Sequence, residues 1–235
     1  MPPIQVSVHR PRPGQLKVLL FDVNETLRDL SKLKKAVISA FHDKSAFRQW
    51  FGLLLQYSLV DTVTERYHEF DVIGNVALDM TAAKLETKPL KAVKKQEILS
   101  LMSQLPAHPD VEKGLKMLRQ AGYRLVAFTN STKFVLDQQL HHAGIMGYFE
   151  QGLSVDSLRR YKPQRTTYHD AVRHLGVMPD QAGLIAAHGW DIAGAQAAGL
   201  FTGFIARPGQ ELYPLVGPPT YHGKTLVEVA RQISG

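Results

Sequence analysis

The sequence predicts an α/β fold: a doubly wound parallel sheet with a helical cap domain inserted after its first strand. Three observations predict it. Short, nearly continuous apolar runs recur along the chain, as strands buried on both faces require. Helical periodicity alternates with those runs, which is how a sheet becomes wrapped by helices on both sides. Residues 31–105 break the alternation and carry helical periodicity alone.

The first apolar run is LKVLLF, residues 16–21, and it ends at Asp22. In the interrupting stretch Phe47, Trp50, Phe51, Leu54, Leu55 and Leu59 fall at helical spacing. Val72, Val76, Leu78, Met80, Ala83 and Leu85 give a second helix, and Ile98, Leu99 and Met102 a third. Pro106 to Pro109 reads as the return hinge. Val111, Leu115 and Leu118 then share one face of a helix that runs to Ala121. YRLVAF (123–128), GLIAA (183–187) and FTGFIA (201–206) are the further strands, with helices at 134–143, 166–175 and 192–198 between them. The resulting organisation is a loose N-terminal arm (1–15), a Rossmann-like core (16–30 and 106–235) and a helical cap (31–105).

Composition agrees with a packed protein. Of 235 residues 44% are hydrophobic and 21% charged, too apolar for a disordered chain. The length suits a core domain with a smaller insert. Absence of cysteine excludes disulfides, thiolate metal sites and cysteine nucleophiles, and fits a reducing compartment. No apolar run approaches the roughly 20 residues that span a bilayer. The opening MPPIQVSVHRPRPGQ lacks the apolar core of a secretory signal, so a cytoplasmic location is expected. The net charge is +7, and its positive clusters (around Arg10, Lys91 and Arg160) carry no nucleic-acid motif. They read as solvated faces whose mild field suits a small anionic substrate; neither nucleic acid nor membrane is an expected partner.

In open parallel sheets ligands bind at the carboxyl ends of the strands. Polar residues stand there in order: Asp22, then Thr129, Asn130 and Ser131, then His188 and Asp191. Lys162 joins them from Tyr161-Lys162-Pro163, where the proline biases it away from helical geometry. A lone strand-end aspartate is more often a helix cap. Four such groups in this order on apolar strands are hard to explain as caps.

This set resembles the four motifs of the haloacid dehalogenase superfamily: FDVNETL with Asp22 and Thr26, the FTNS segment, Lys162 in YKP, and HGWD with Asp191. The insert after the first strand is where that superfamily carries its helical cap. Phosphatases of the superfamily place a second aspartate two residues after the nucleophile; here that residue is Asn24, which cannot serve as a carboxylic acid. The sequence is more similar to the L-2-haloacid dehalogenases. The shared features are Trp190-Asp191 before a small-residue helix, Tyr168 six residues after Lys162, Arg48-Gln49, and Arg66-Tyr67-His68-Glu69-Phe70.

The resemblance implies displacement of halide from carbon by Asp22, through an ester that water hydrolyses, with no metal and no cofactor. It assigns Lys162 as the counter-charge of Asp22 and Thr26 as its orienter. Arg48 with Asn130 and Phe70 would hold the departing halide; Thr129 and Ser131 with Lys162 would hold the substrate carboxylate. Asp191 is the favoured base or orienter of the hydrolytic water. Asn24 and Trp190 are candidate pocket walls, the latter alternatively core, and Tyr168 either reaches the site or packs. His188 and Ala186 stand where relatives carry asparagine and serine, leaving two roles open for His188: replacement of the amide, or a base. A phosphatase on a small phosphate ester and a non-catalytic member of the fold stay as alternatives. Relatives are often dimers, which leaves a homodimer open here.

Overall fold

The computed structural model describes residues 10–235, so most of the expected N-terminal arm lies outside the described residues. Six parallel strands form one sheet: β1 (Val18–Phe21), β2 (Arg124–Thr129), β3 (Gln151–Ser154), β4 (Ala182–Ala186), β5 (Phe201–Ile205) and β6 (Tyr221–Gly223). Their order is β3-β2-β1-β4-β5-β6. β1 is therefore internal, with Phe21 in register with Ala127 on one side and Ile185 on the other. Its unbroken apolar composition follows, because both of its faces are covered.

Alternate residues of β1 enter different cores, as the two-residue period of a strand dictates. Leu19 and Phe21 pack with Leu115, Ile185 and Val229. Val18 and Leu20 face the other side, with Phe128, Leu184 and residues of the helical insert. That insert consists of α1 (Ser31–Phe41), α2 (Ala46–Val63), α3 (Phe70–Lys84) and α4 (Ala92–Ser100), and holds no strand. Trp50 is fully buried and its indole N–H donates to the Gly74 carbonyl at 2.9 Å, locking α2 to α3. The remaining helices are α5 (Val111–Gln120), α6 (Lys133–His142), α7 (Arg165–His174), α8 (Gly189–Ala197) and α9 (Leu226–Ser234).

The four apolar runs are strands, displaced by one or two residues at their ends. Four elements were not read from the sequence. β3 is QGLS, half-buried at the sheet edge, and shows no apolar run. β6 has three residues, too few for periodicity. α1 buries Leu33, Val37 and Phe41, a regular four-residue stripe that was available. α9 begins with Thr225, whose hydroxyl accepts from the Glu228 N–H, an N-cap signal also present in the sequence. Among the described residues no helix is long and apolar enough to cross a membrane.

Candidate active site

Because β1 lies between β2 and β4, the polar residues following these strands meet at the carboxyl end of the sheet. Asp22 extends β1 by one hydrogen bond, its N–H donating to the Ile185 carbonyl at 3.0 Å. Its Oδ1 accepts from Lys162 Nζ at 2.9 Å. Its Oδ2 accepts from Thr26 Oγ1 at 2.7 Å and stands 3.1 Å from His188 Nδ1. Thr26 Oγ1 accepts in turn from the Ala187 N–H at 2.8 Å, so the chain after β4 fixes the hydroxyl. The Thr26 carbonyl accepts from both Nε and a terminal nitrogen of Arg207, which also pairs with Asp110 at 2.7 Å.

Lys162 is fully buried and all three of its N–H donors are used: on Asp22, on Asp191 Oδ2 at 2.7 Å and on the Phe128 carbonyl at 3.2 Å. The second oxygen of Asp191 accepts from the Tyr168 hydroxyl at 2.5 Å. Asn130 holds the lysine segment by its backbone. Its Oδ1 accepts from the Lys162 N–H at 2.9 Å and its Nδ2 donates to the Lys162 carbonyl at 3.4 Å. Thr129 Oγ1 accepts from the Ser131 N–H at 3.1 Å. α8 approaches closely because residue 194 is glycine: a Cβ there would fall 2.6 Å from the Tyr168 hydroxyl.

Protonation follows from this packing. Burial opposes the charge on Asp22, but Lys162 and His188 outweigh it and hold the carboxyl well below the usual carboxylate range. Burial likewise opposes a charged imidazole at His188, yet bonds to Asp22 and Glu25 raise it to about 10. Burial raises the Asp191 carboxyl, aided by the charge on Asp22 and opposed by Lys162. At neutral pH a carboxylate at Asp22 is thus flanked by an ammonium and an imidazolium, so His188 does not stand ready as a base.

The imidazole also sits in a column of rings. Trp190 stacks on one side, 5.1 Å between centroids and 23° between planes, and Phe51 of α2 on the other, at 6.4 Å and 26°. Phe47 stacks in turn on Phe51 at 5.7 Å. Trp190 is therefore a wall beside His188, and its indole nitrogen is buried with no partner among the described residues.

Other expected residues are placed differently. Arg48 is exposed on α2, since Phe47, Trp50 and Phe51 occupy the buried arc. The Asn24 carbonyl accepts from Arg28 at 3.2 Å and Gln139 at 3.4 Å, so its side chain is engaged there rather than with Asp22. Phe70 is buried at the start of α3, with its ring 5.8 Å from that of Tyr161. It lines a cavity of about 480 Å³ between the helical insert and α6, together with Met102, Val135 and Ser131. The Ser131 hydroxyl is buried with no partner among the described residues.

Glu25, Arg28, Gln139 and Arg207 were missed. Glu25 Oε2 lies 2.9 Å from His188 Nε2. Its signal in the sequence was a carboxylate three residues from the nucleophile. Arg28 is fully buried, and burial lowers it to about 10; nothing in its sequence position sets it apart from a surface arginine.

A strand-end carboxylate held ionised by a buried lysine and a buried histidine is an arrangement suited to hydrolase chemistry. The chain belongs to the haloacid dehalogenase-like hydrolase family, whose model matches residues 16–199. It is 26% identical over 221 residues to (S)-2-haloacid dehalogenase 4A of Burkholderia cepacia, covering 93% of this chain and 92% of that protein. It is 30% identical over 182 residues to a phosphoglycolate phosphatase of Colwellia psychrerythraea, covering 77% of this chain and 74% of that one. The L-2-haloacid dehalogenase structure from Xanthobacter autotrophicus shares the fold with a TM-score of 0.85 at 22% identity, covering 94% of this chain and 99% of that chain.

Proposed function

We propose that the protein is a hydrolytic dehalogenase of short 2-haloacids that works without a metal. The observation that carries this reading is the environment of Asp22: an ionised nucleophile with Asn24, not an acid, two residues on. Halide leaves as an anion and needs no proton, whereas an ester or phosphate leaving group does. Asp22 attacks the halogen-bearing carbon, the carbon–halogen bond breaks, and an aspartyl ester remains for water to hydrolyse. Lys162 keeps Asp22 charged and Thr26 orients it. Asp191, the least ionised carboxyl of the pair around Lys162, takes the proton of the hydrolytic water while Tyr168 holds its other oxygen.

The substrate carboxylate enters by the cavity that Phe70 and Ser131 line, and is held by Thr129, Ser131 and Lys162. The helical segment of residues 31–105 acts as a cap, and the Phe51–His188 stack couples it to the chemistry. Arg48, exposed on α2, is the cation that the resemblance assigns to the departing halide. Asn130 acts mainly through its hold on Lys162. The donor set does not suit Mg²⁺: both oxygens of Asp22 are engaged by Lys162, Thr26 and His188, and among the described residues no three acidic, imidazole or thiol side chains are arranged to share one metal ion.

The test is halide release from chloroacetate and from each enantiomer of 2-chloropropionate, with EDTA present. Release from the (S)-enantiomer, abolished by Asp22→Asn, is expected. No release, together with Mg²⁺-dependent phosphate release from a small phosphate ester, would overturn the reading in favour of a phosphatase.

A further inference from the structure

His188 lies between two carboxylates, and only one of them belongs to the site read from the sequence. Its Nδ1 faces Asp22 Oδ2 at 3.1 Å and its Nε2 faces Glu25 Oε2 at 2.9 Å. Neither acceptor carries a proton to share while both acids are ionised, so the ring fits best with a hydrogen on each nitrogen. Glu25 is itself held. Its other oxygen accepts from Gln210 Nε2 at 3.2 Å, and its carbonyl is 2.9 Å from His108 Nε2. Its φ of 58° lies in the left-handed region that favours glycine, so the backbone accepts a Glu25→Gly substitution.

The two oxygens of Asp22 are not equivalent. Oδ2 carries two hydrogen bonds, from Thr26 and His188, while Oδ1 carries one, from Lys162. The free lone pair is on Oδ1, which makes it the attacking atom and leaves Oδ2 as the carbonyl oxygen of the ester. Water then adds to Asp22 Cγ and gives a proton to Asp191, and charge develops on Oδ2. When the tetrahedral adduct collapses, the Cγ–Oδ1 bond breaks. The 2-hydroxy acid leaves with Oδ1 and takes the proton from Asp191. The restored Asp22 carboxyl then ionises.

We propose that His188 and Thr26 form the donor pair for the oxyanion on Oδ2 during ester hydrolysis, and that Glu25 is the positioning residue that aims the Nδ1–H of His188 at it. This rests on the dehalogenase reading and adds a second requirement to it: the first, halide-releasing half of the reaction depends on Asp22 and Lys162, the second on His188 and Glu25. Donors already in place where charge develops are effective because nothing reorganises at the moment of reaction. The groups facing the imidazole are few. Asp22 and Glu25 lie in its plane and Lys162 lies across Asp22. Asp191 is on its own helix, and the faces carry the neutral rings of Trp190 and Phe51.

The experiment combines rapid-quench mass spectrometry of the protein with steady-state halide release from (S)-2-chloropropionate across pH. Glu25→Gln and Glu25→Gly are compared with wild type, the glycine variant because it suits the backbone and guards against a folding failure. Both are expected to form the ester at near the wild-type rate, to accumulate it, and to turn over roughly 10–100-fold more slowly, the scale of loss when a partner orienting a metal-bound imidazole is removed. The alkaline limb of the pH–rate profile moves to lower pH. In a His188→Asn background, where no ring titrates, adding Glu25→Gln moves that limb no further. Unchanged turnover and pH profile in both Glu25 variants, or slower turnover without ester accumulation, overturns the inference while leaving the dehalogenase reading intact. A wild-type protein that releases no halide and forms no ester overturns both.

Discussion

At the scale of single residues, Lys162 governs the site. It is buried between two carboxylates, Asp22 and Asp191, with no access to water. A buried ion pair owes its worth to being complete, and removing one partner leaves uncompensated charge in a poorly solvated place. Lys162→Met is therefore expected to cost about 3–5 kcal/mol in urea unfolding. It should also raise the acid limb of the activity profile, because Asp22 loses the cation that holds it ionised. Tyr168→Phe removes the hydroxyl that bonds Asp191 Oδ1 and lies 3.3 Å from the Asp191 carbonyl, and should cost about 1.5–3 kcal/mol, the range for a hydrogen bond to a charged group. A loss below 0.5 kcal/mol (roughly the surface-substitution range) would show that the hydroxyl merely packs.

Among the elements, α8 and α2 decide how tightly the site closes. α8 starts at Gly189, where a Cβ would meet the Glu211 carbonyl at 2.4 Å, and passes Pro163 and Tyr168 at Gly194. Gly194→Ala would push a methyl to within 2.5 Å of Pro163 Cβ and displace the tyrosine. Overpacking of this kind costs roughly 1–3 kcal/mol, and the activity of the folded variant should fall with it; an unchanged thermal midpoint and rate would refute the close approach. On α2, Phe51 is the ring through which the helical insert touches His188. Phe51→Ala should cost about 3–5 kcal/mol as a core truncation. It should raise KM for haloacids more than it lowers the rate of ester formation, measured by the same quench experiment, since Asp22 and Lys162 are untouched.

For the whole molecule, the buried charges set the pH range of stability. His188 is raised in the folded protein, from 6.5 to about 10. Its contribution to stability is thus complete below about pH 6.5 and is lost as pH rises through about 10. Asp22 is lowered, so its contribution is present above the ordinary carboxylate range and is lost as pH falls through its folded value. Asp191, raised by burial, works in the opposite sense at the acid end. Urea midpoints should therefore be highest near neutrality and decline toward pH 10, and His188→Asn should remove most of that alkaline decline. An equal decline in the variant would place the responsible group elsewhere.

The sequence by itself determined the period of each major element, because burial on two faces demands unbroken apolar runs and burial on one face demands helical stripes. It also determined the order of the chemical groups along the chain: Asp22, Thr129, Lys162 and Asp191 each follow or precede an element whose apolar pattern is plain. The short edge strands β3 and β6 were not legible, since they bury too little to need a pattern. Only the tertiary structure decided which groups meet. Lys162 and His188 stand 140 and 166 residues from Asp22 and reach it because β1 lies between β2 and β4. Side-chain direction was decided there too: Asn24, two residues from the nucleophile, turns to Arg28, while Glu25, beside it, reaches His188. Protonation was settled last, because the charge on an imidazole depends on what surrounds it in space, and two carboxylates on opposite sides of His188 hold it positive where its place in the chain would suggest a neutral ring.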